Sequence, residues 1–127
     1  MDGETQRRNW SPDQRQEALR GLVAISKIAK THKDILGAQN VPGLGLVDFR
    51  WAVGTRGMQQ IFATHKIARR IPIILARGKL TLGSTRAFVE FKGHLVVLSD
   101  NIRGVPTAHW VLTGYRKSQG IKKEGDR

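Results

Sequence analysis

The stretch GMQQIFATHKIARR, residues 57–70, sets one histidine, His65, among helix-forming apolar residues and follows it with Lys66, Arg69 and Arg70. Imidazole has a reference pKa of about 6.5, so it can take or give a proton near neutral pH. Further on, HWVLTGYRK supplies the hydroxyls of Thr113 and Tyr115, and these can hold a phosphate oxygen. Arg86 opens a strand-like run, Lys92 sits at a turn, and Arg116 and Lys117 close the last run, with Arg103 between them. These types make up the inventory of metal-free RNA cleavage. A base removes the 2′-hydroxyl proton, an acid protonates the leaving 5′-oxygen, and cations or donors stabilise the charge growing on phosphorus. The product is a 2′,3′-cyclic phosphate.

Other chemistries are poorly supplied. From residue 57 onward the acids are Glu90, Asp100, Glu124 and Asp126, too few and too scattered for paired-carboxylate work. The four histidines lack metal-ligand spacing, so no metal or other cofactor is expected. The absence of cysteine excludes disulfides and thiolate zinc sites. Gly43 and Gly45 lack the third glycine and the preceding strand of a dinucleotide fingerprint. The apolar runs are too short to span a bilayer, and the polar start MDGETQRRNW does not read as a signal peptide.

The chain has 127 residues, a length that suits one domain, and a net charge of +12. Residues 57–127 hold thirteen of the cations against four acids, whereas residues 1–56 hold nine against six. The excess therefore coincides with the candidate chemistry. Such a field draws phosphate polyanions and points to nucleic acid rather than to a membrane.

The elements that must position these groups can be read from periodicity. Ser11-Pro12-Asp13-Gln14 is a helix start, with Ser11 as cap, Pro12 in the first turn and Gln14 reaching back. Ala18, Leu22, Ile25, Ala29 and Leu36, widened by Leu19 and Ile28, predict a helix over 12–36 stopped by Gly37. His32 falls at the edge of that stripe and reads as structural. Residues 37–56 read as loop. A second helix is predicted over 57–68 and a short one over 72–77, closed by Gly78. Then AFVEF, HLVVLS and HWVLTGY predict three antiparallel strands, the first two joined by a tight turn at Lys92-Gly93. The expected fold class is α+β, with N-terminal helices packed on a small antiparallel β-sheet, and residues 1–10 and 117–127 flexible. Strand alternation puts Val111, Thr113 and Tyr115 on one face and Trp110, Leu112 and Gly114 on the other. Taken singly, Thr and Tyr are ordinary strand residues. His65 fits a core histidine as well as a catalyst. His94 and His109 flank strands, where either could bring a second imidazole across the sheet. Trp10 and Trp51 read as packing residues.

In order, Gly57…Gln60-Ile61…His65, Ile71-Pro72-x-Ile74, the hairpin VEFKGHLVVLS and the closing WVLTGYRK resemble the nuclease superfamily that groups barnase, EndoU, colicin tRNases and RelE. The phage and polymorphic-toxin branch is the nearest in pattern. There a helix carries G-x-x-H-I-x-x-x-H and the sheet ends in W-x-L-T-x-Y. The resemblance covers about residues 47–117. It implies a metal-independent endoribonuclease toxin, often part of a larger delivered protein, that acts on RNA such as tRNA. It also implies an acidic immunity or antitoxin protein as partner, and work in the cytoplasm of a target or host cell. His65 matches the second histidine of the helix pattern, and Thr113 and Tyr115 match the closing motif. Gln60 stands where the pattern has its first histidine. An amide does no acid–base work at neutral pH. Either His65 acts with another partner, or the chain is an inactivated variant, or it is a non-catalytic nucleic-acid-binding or phage structural module. Positions 60 and 65 lie about 140° apart around a helix, so they need not share a face.

Overall fold

The computed structural model describes residues 11–64 and 67–117. Helix α1 (Pro12–Thr31) begins in a complete capping box. Ser11 Oγ accepts from the Gln14 amide at 3.1 Å, and Gln14 Oε1 accepts from the Ser11 amide at 2.9 Å. The helix stops at His32, which is left-handed (φ 57°) and donates its N–H to the Ile28 carbonyl. It therefore ends before Leu36 and Gly37, both of which lie in the first strand.

Residues 37–56, expected as loop, contain most of a β-hairpin: β1 (Ile35–Val41) and β2 (Gly45–Phe49) pair antiparallel. A register shift between Ile35 and Gln39 breaks the alternation that would have revealed β1. Helix α2 (Met58–Thr64) is shorter than predicted. A 3₁₀ turn (Ala68–Arg70) leads into α3 (Ile71–Arg77), which has Pro72 in its first turn and ends at Gly78. Four strands follow: β3 (Lys79–Leu82), β4 (Arg86–Phe91), β5 (His94–Ile102) and β6 (Val105–Arg116). Lys92-Gly93 forms the expected two-residue turn between β4 and β5, with both residues at positive φ.

The fold is α+β. Its sheet has six strands, not three, in the order β1-β2-β6-β5-β4-β3. It is mixed rather than purely antiparallel, because β2 meets β6 in parallel at Asp48 and Trp110. The edge strand β3 went unforeseen because it is only four residues long.

Helices α1, α2 and α3 contribute to a core on one face of the sheet, where Ile25, Met58, Ile61, Leu75, Val96 and Leu98 are fully buried. On the opposite, outer face Val97, Trp110 and Leu112 form a smaller cluster with Val53, Phe88, Leu95 and Ile102. Helix α1 buries Ala18, Gly21, Ala24, Ile25 and Ile28. Leu19 (60% exposed) and Leu22 (38%) fall outside the stripe predicted for them. The reason is Gln39, a fully buried residue of β1. Its Nε2 donates to the Pro72 carbonyl at 2.8 Å, which ties β1 to α3. Its Oε1 lies against Gly21, so α1 presents its glycine to the sheet.

A Cβ on Gly21 would fall 2.0 Å from Gln39 Oε1 and 3.0 Å from Pro72 Cβ. Helix propensity favours alanine over glycine by about 1 kcal/mol. Overpacking at a buried amide that cannot move aside costs about 1–3 kcal/mol and wins. Gly21→Ala is therefore expected to lower the urea midpoint at unchanged slope. An equal or higher midpoint would show that the contact does not hold α1 in place.

Candidate functional site

Strand β6 is the frame of the site. Against β5 it pairs Val97 with Thr113 but Leu98 with Val111, so Leu112 is an extra residue in the ladder. This shift corrects the predicted faces. Val111 joins the helix-side core, while Leu112 joins Trp110 and Val97 on the outer face. Cross-strand partners project to the same side, so Thr113 opposite Val97 and Tyr115 opposite Leu95 also belong to the outer face. Gly114, opposite Val96, looks toward Ile67 on the helix side. Thr113 and Tyr115 do share a face, but with Leu112 rather than Val111.

Strand β2 ends at Phe49, and the start of α2 takes over the edge of β6. The Gly57 amide donates to the Leu112 carbonyl at 3.1 Å, and those of Met58 and Gln59 donate to the carbonyls of Arg50 and Trp51, each at 2.8 Å. Gly57 has φ 106°, and a Cβ there would lie 2.9 Å from both the Arg50 and Trp51 carbonyl oxygens. Only glycine can dock α2 in this way.

That docking brings Gln60 to Thr113. Thr113 Oγ1 donates to Gln60 Oε1 at 3.1 Å, and Gln60 Nε2 donates to Thr64 Oγ1 at 2.9 Å. The network fixes its own polarity. Thr64 gives its only hydrogen to the Gln60 carbonyl at 2.7 Å, so toward the amide it can only accept. The amide nitrogen must then face Thr64, and the amide oxygen must face Thr113. The Thr113 hydrogen is engaged, and its free lone pairs make it an acceptor rather than a phosphate donor. Two candidates separated by 53 residues thus meet, in a role different from the one the sequence implied.

The remaining candidates divide. His65 and Lys66 lie outside the described residues, as do Trp10 and the segments 1–10 and 118–127. Arg86 is on the outer face, paired in register with Ser99. Lys92 is at the β4–β5 turn with its ammonium 5.5 Å from the centre of the Phe91 ring. Arg116 pairs with His94 in register, the side opposite Tyr115. Lys117 bonds Glu90 at 2.9 Å near the far end of the outer face. Arg69 sits in the helix layer, its guanidinium 3.4 Å from Ser26 Oγ, and does not join the sheet face.

Of the other imidazoles, His32 stacks on Trp51 with ring centres 4.1 Å apart, and His94 Nδ1 lies 3.2 Å from the Lys92 carbonyl. Both contacts are local packing, and Trp51 also packs near Phe62. His109 is half-buried on β6.

Sequence reasoning missed Arg56. With Arg86 and Arg103 it lines an open cavity of about 190 Å³ on the outer face. No pattern marks Arg56, which is brought there by the tight turn between Val53 and Arg56. Among the described residues no group of three or more His, Cys, Asp or Glu comes together to hold a metal ion, and no helix is long and apolar enough to cross a membrane.

The Gln60–Thr113 bond is part-buried, with Thr113 only 7% exposed, and its net worth is about 1 kcal/mol. A double-mutant cycle of Gln60→Ala with Thr113→Val is expected to give a coupling of that size in unfolding free energy, against near-additivity for either change paired with a distant one. Zero coupling would mean that α2 is held by its backbone contacts alone. No protein-family model matches the chain, and neither curated proteins nor solved structures contain a significant match to it.

Proposed function

We propose that this chain binds RNA on the outer face of its sheet and cleaves it without a metal, at the edge where α2 meets β6. The observation that carries this reading is the meeting of Gln60 and Thr113 on the face that also bears Tyr115, Arg86, Arg56 and Arg103. The charge distribution agrees, since residues 57–127 hold thirteen cations against four acids. His65, next in sequence to Thr64, is assigned the proton transfers. As base it takes the 2′-hydroxyl proton, the 2′-oxygen attacks phosphorus, and the 5′-oxygen leaves with a proton from an acid. Arginine stabilises the pentavalent charge. Thr113, fixed as an acceptor, receives a bond from a ribose 2′-hydroxyl, a group that DNA lacks. Tyr115 contacts the same nucleotide. A domain of this kind acts as a toxin in the cytoplasm of a target or host cell, and its producer needs an acidic immunity protein to cover the face.

A second reading is favoured by one observation. Both ends of the Gln60 amide are engaged in the bonds that hold Thr113 and Thr64, so position 60 is a tie and not an acid or base. On that reading the chain is a non-catalytic nucleic-acid-binding or phage structural module, or a nuclease that has lost its turnover.

With total tRNA in chelator, the first reading expects fragments with cyclic-phosphate ends, and a loss of about 10²-fold or more in rate for His65→Ala. Fragments that form only with magnesium overturn the mechanism. Salt-sensitive binding without fragments, with turnover gained in Gln60→His, identifies a disabled enzyme. Binding unchanged by that substitution supports the module. Wherever the chain binds RNA, with or without turnover, a single-stranded RNA is expected to bind better than its deoxy counterpart, and Thr113→Val is expected to narrow the gap. An unaltered gap removes Thr113 from ribose recognition.

A further inference from the structure

The cavity on the outer face is assembled from three separate segments. Arg56 closes the turn from Val53, held by hydrogen bonds in both directions between these two residues at 2.9 and 3.0 Å. Arg86 starts β4 opposite Ser99. Arg103 comes from the two-residue turn between β5 and β6, where it is held at φ 53°. Asn or Gly is the usual occupant of that conformation, so an arginine stands there against local preference. Asn101 fixes the turn. Its side-chain oxygen accepts from the Gly104 amide at 3.1 Å, and its carbonyl accepts from Ser99 Oγ at 3.0 Å and Trp110 Nε1 at 3.1 Å. The loop is therefore preorganised before any ligand arrives.

Arg56, Arg86 and Arg103 form no ion pair with a described carboxylate, the described acids that pair being engaged with Arg20, Arg50 and Lys117. Like charges converging on one concavity repel each other unless an anion enters. Three guanidinium forks offer more donors than the two oxygens of a carboxylate can accept, whereas a phosphoryl group has oxygens to match. Val53, Ile102, Trp110 and Leu112 give the cavity an apolar floor.

We propose that Arg56, Arg86 and Arg103 form a phosphate-binding subsite. Its place on the sheet makes the ligand more specific. The rung Arg86–Ser99–Trp110 is next to the rung Phe88–Val97–Thr113, two residues away along β5, or about 6.6 Å at the rise of a strand. That separation is comparable with the step between phosphates of an extended polynucleotide. Resting on the RNA-binding reading, the subsite holds the phosphate one nucleotide from the one beside Thr113, and so sets which bond reaches that edge.

The test uses the full chain and four variants: Arg56→Gln, Arg86→Gln, Arg103→Gln, and Lys30→Gln on exposed α1 as a control of equal charge change. Binding of a single-stranded RNA oligonucleotide is titrated across salt, and binding of inorganic phosphate and adenosine monophosphate is followed by amide shifts of Gly54 and Gly104. Each arginine variant is expected to weaken RNA binding about tenfold. Each is also expected to flatten the salt slope by about 0.7, the value for one phosphate contact on a single strand. Lys30→Gln is expected to do neither. Arginine variants that bind like Lys30→Gln overturn the subsite and leave the RNA reading standing. Phosphate or monophosphate shifts at Gly54 and Gly104, lost in the arginine variants but accompanied by no RNA binding, support the subsite for a free phosphate and overturn the RNA reading. Absence of both kinds of binding overturns both.

Discussion

The irregular pairing of β6 is the constraint on which the rest of the site depends. Between Val111 and Thr113 the strand carries one residue more than β5 can match. A regular ladder would continue the alternation and keep Val111 and Thr113 on one face. With the shift, Val111 fills the core under the helices while Leu112 and Thr113 turn outward. Beyond the end of β2 the Leu112 carbonyl accepts from the Gly57 amide, which is what seats α2 against the strand. Extra residues of this kind re-aim side chains where a regular sheet would bury or disperse them. Here the re-aimed side chain is the one that reaches Gln60.

The parts of the fold that were legible in the sequence are those specified by local chemistry. The capping box at Ser11 and Gln14, the Lys92-Gly93 turn and the Gly78 stop each depend on a few adjacent residues, and each is present. The parts that were not legible depend on partners distant in sequence. β1 lost its period to a register shift, and α1 turned its glycine inward because the amide of Gln39 needed the space. Val111 was grouped with Thr113 and Tyr115, and Trp110 and Leu112 were set apart from them, because strict alternation was applied across an irregular stretch. Position 60 was singled out through the family resemblance, and the hydrogen bond to Thr113 gives it a separate physical reason to be noticed. Arg56 carried no signal, because only the turn after Val53 brings it beside Arg86.

Charge is sorted by layer as well as by segment. Arg69, grouped by sequence with His65, lies with the helices, and Arg116 points opposite to Tyr115. Lys117 is engaged with Glu90. A count of cations in the C-terminal half thus overstates what the outer face can offer to a polyanion. What distinguishes the arginines at 56, 86 and 103 is convergence on one cavity without a described counter-charge. Local convergence, not total charge, separates a site from a solubilising surface.

Gln60 ties α2 to β6. An amide can donate on one side and accept on the other, and the threonines at 64 and 113 use both sides at once. The direction follows from the single hydrogen of Thr64, which is committed to a backbone carbonyl. A neutral imidazole at position 60 also has one donor and one acceptor, but its two nitrogens point apart from opposite sides of a rigid ring, whereas the amide presents its oxygen and nitrogen from a single carbon. It could keep one of the two ties and turn its second nitrogen outward. The residue that would add proton chemistry at this edge is therefore the one that would loosen it, and glutamine resolves that competition in favour of order.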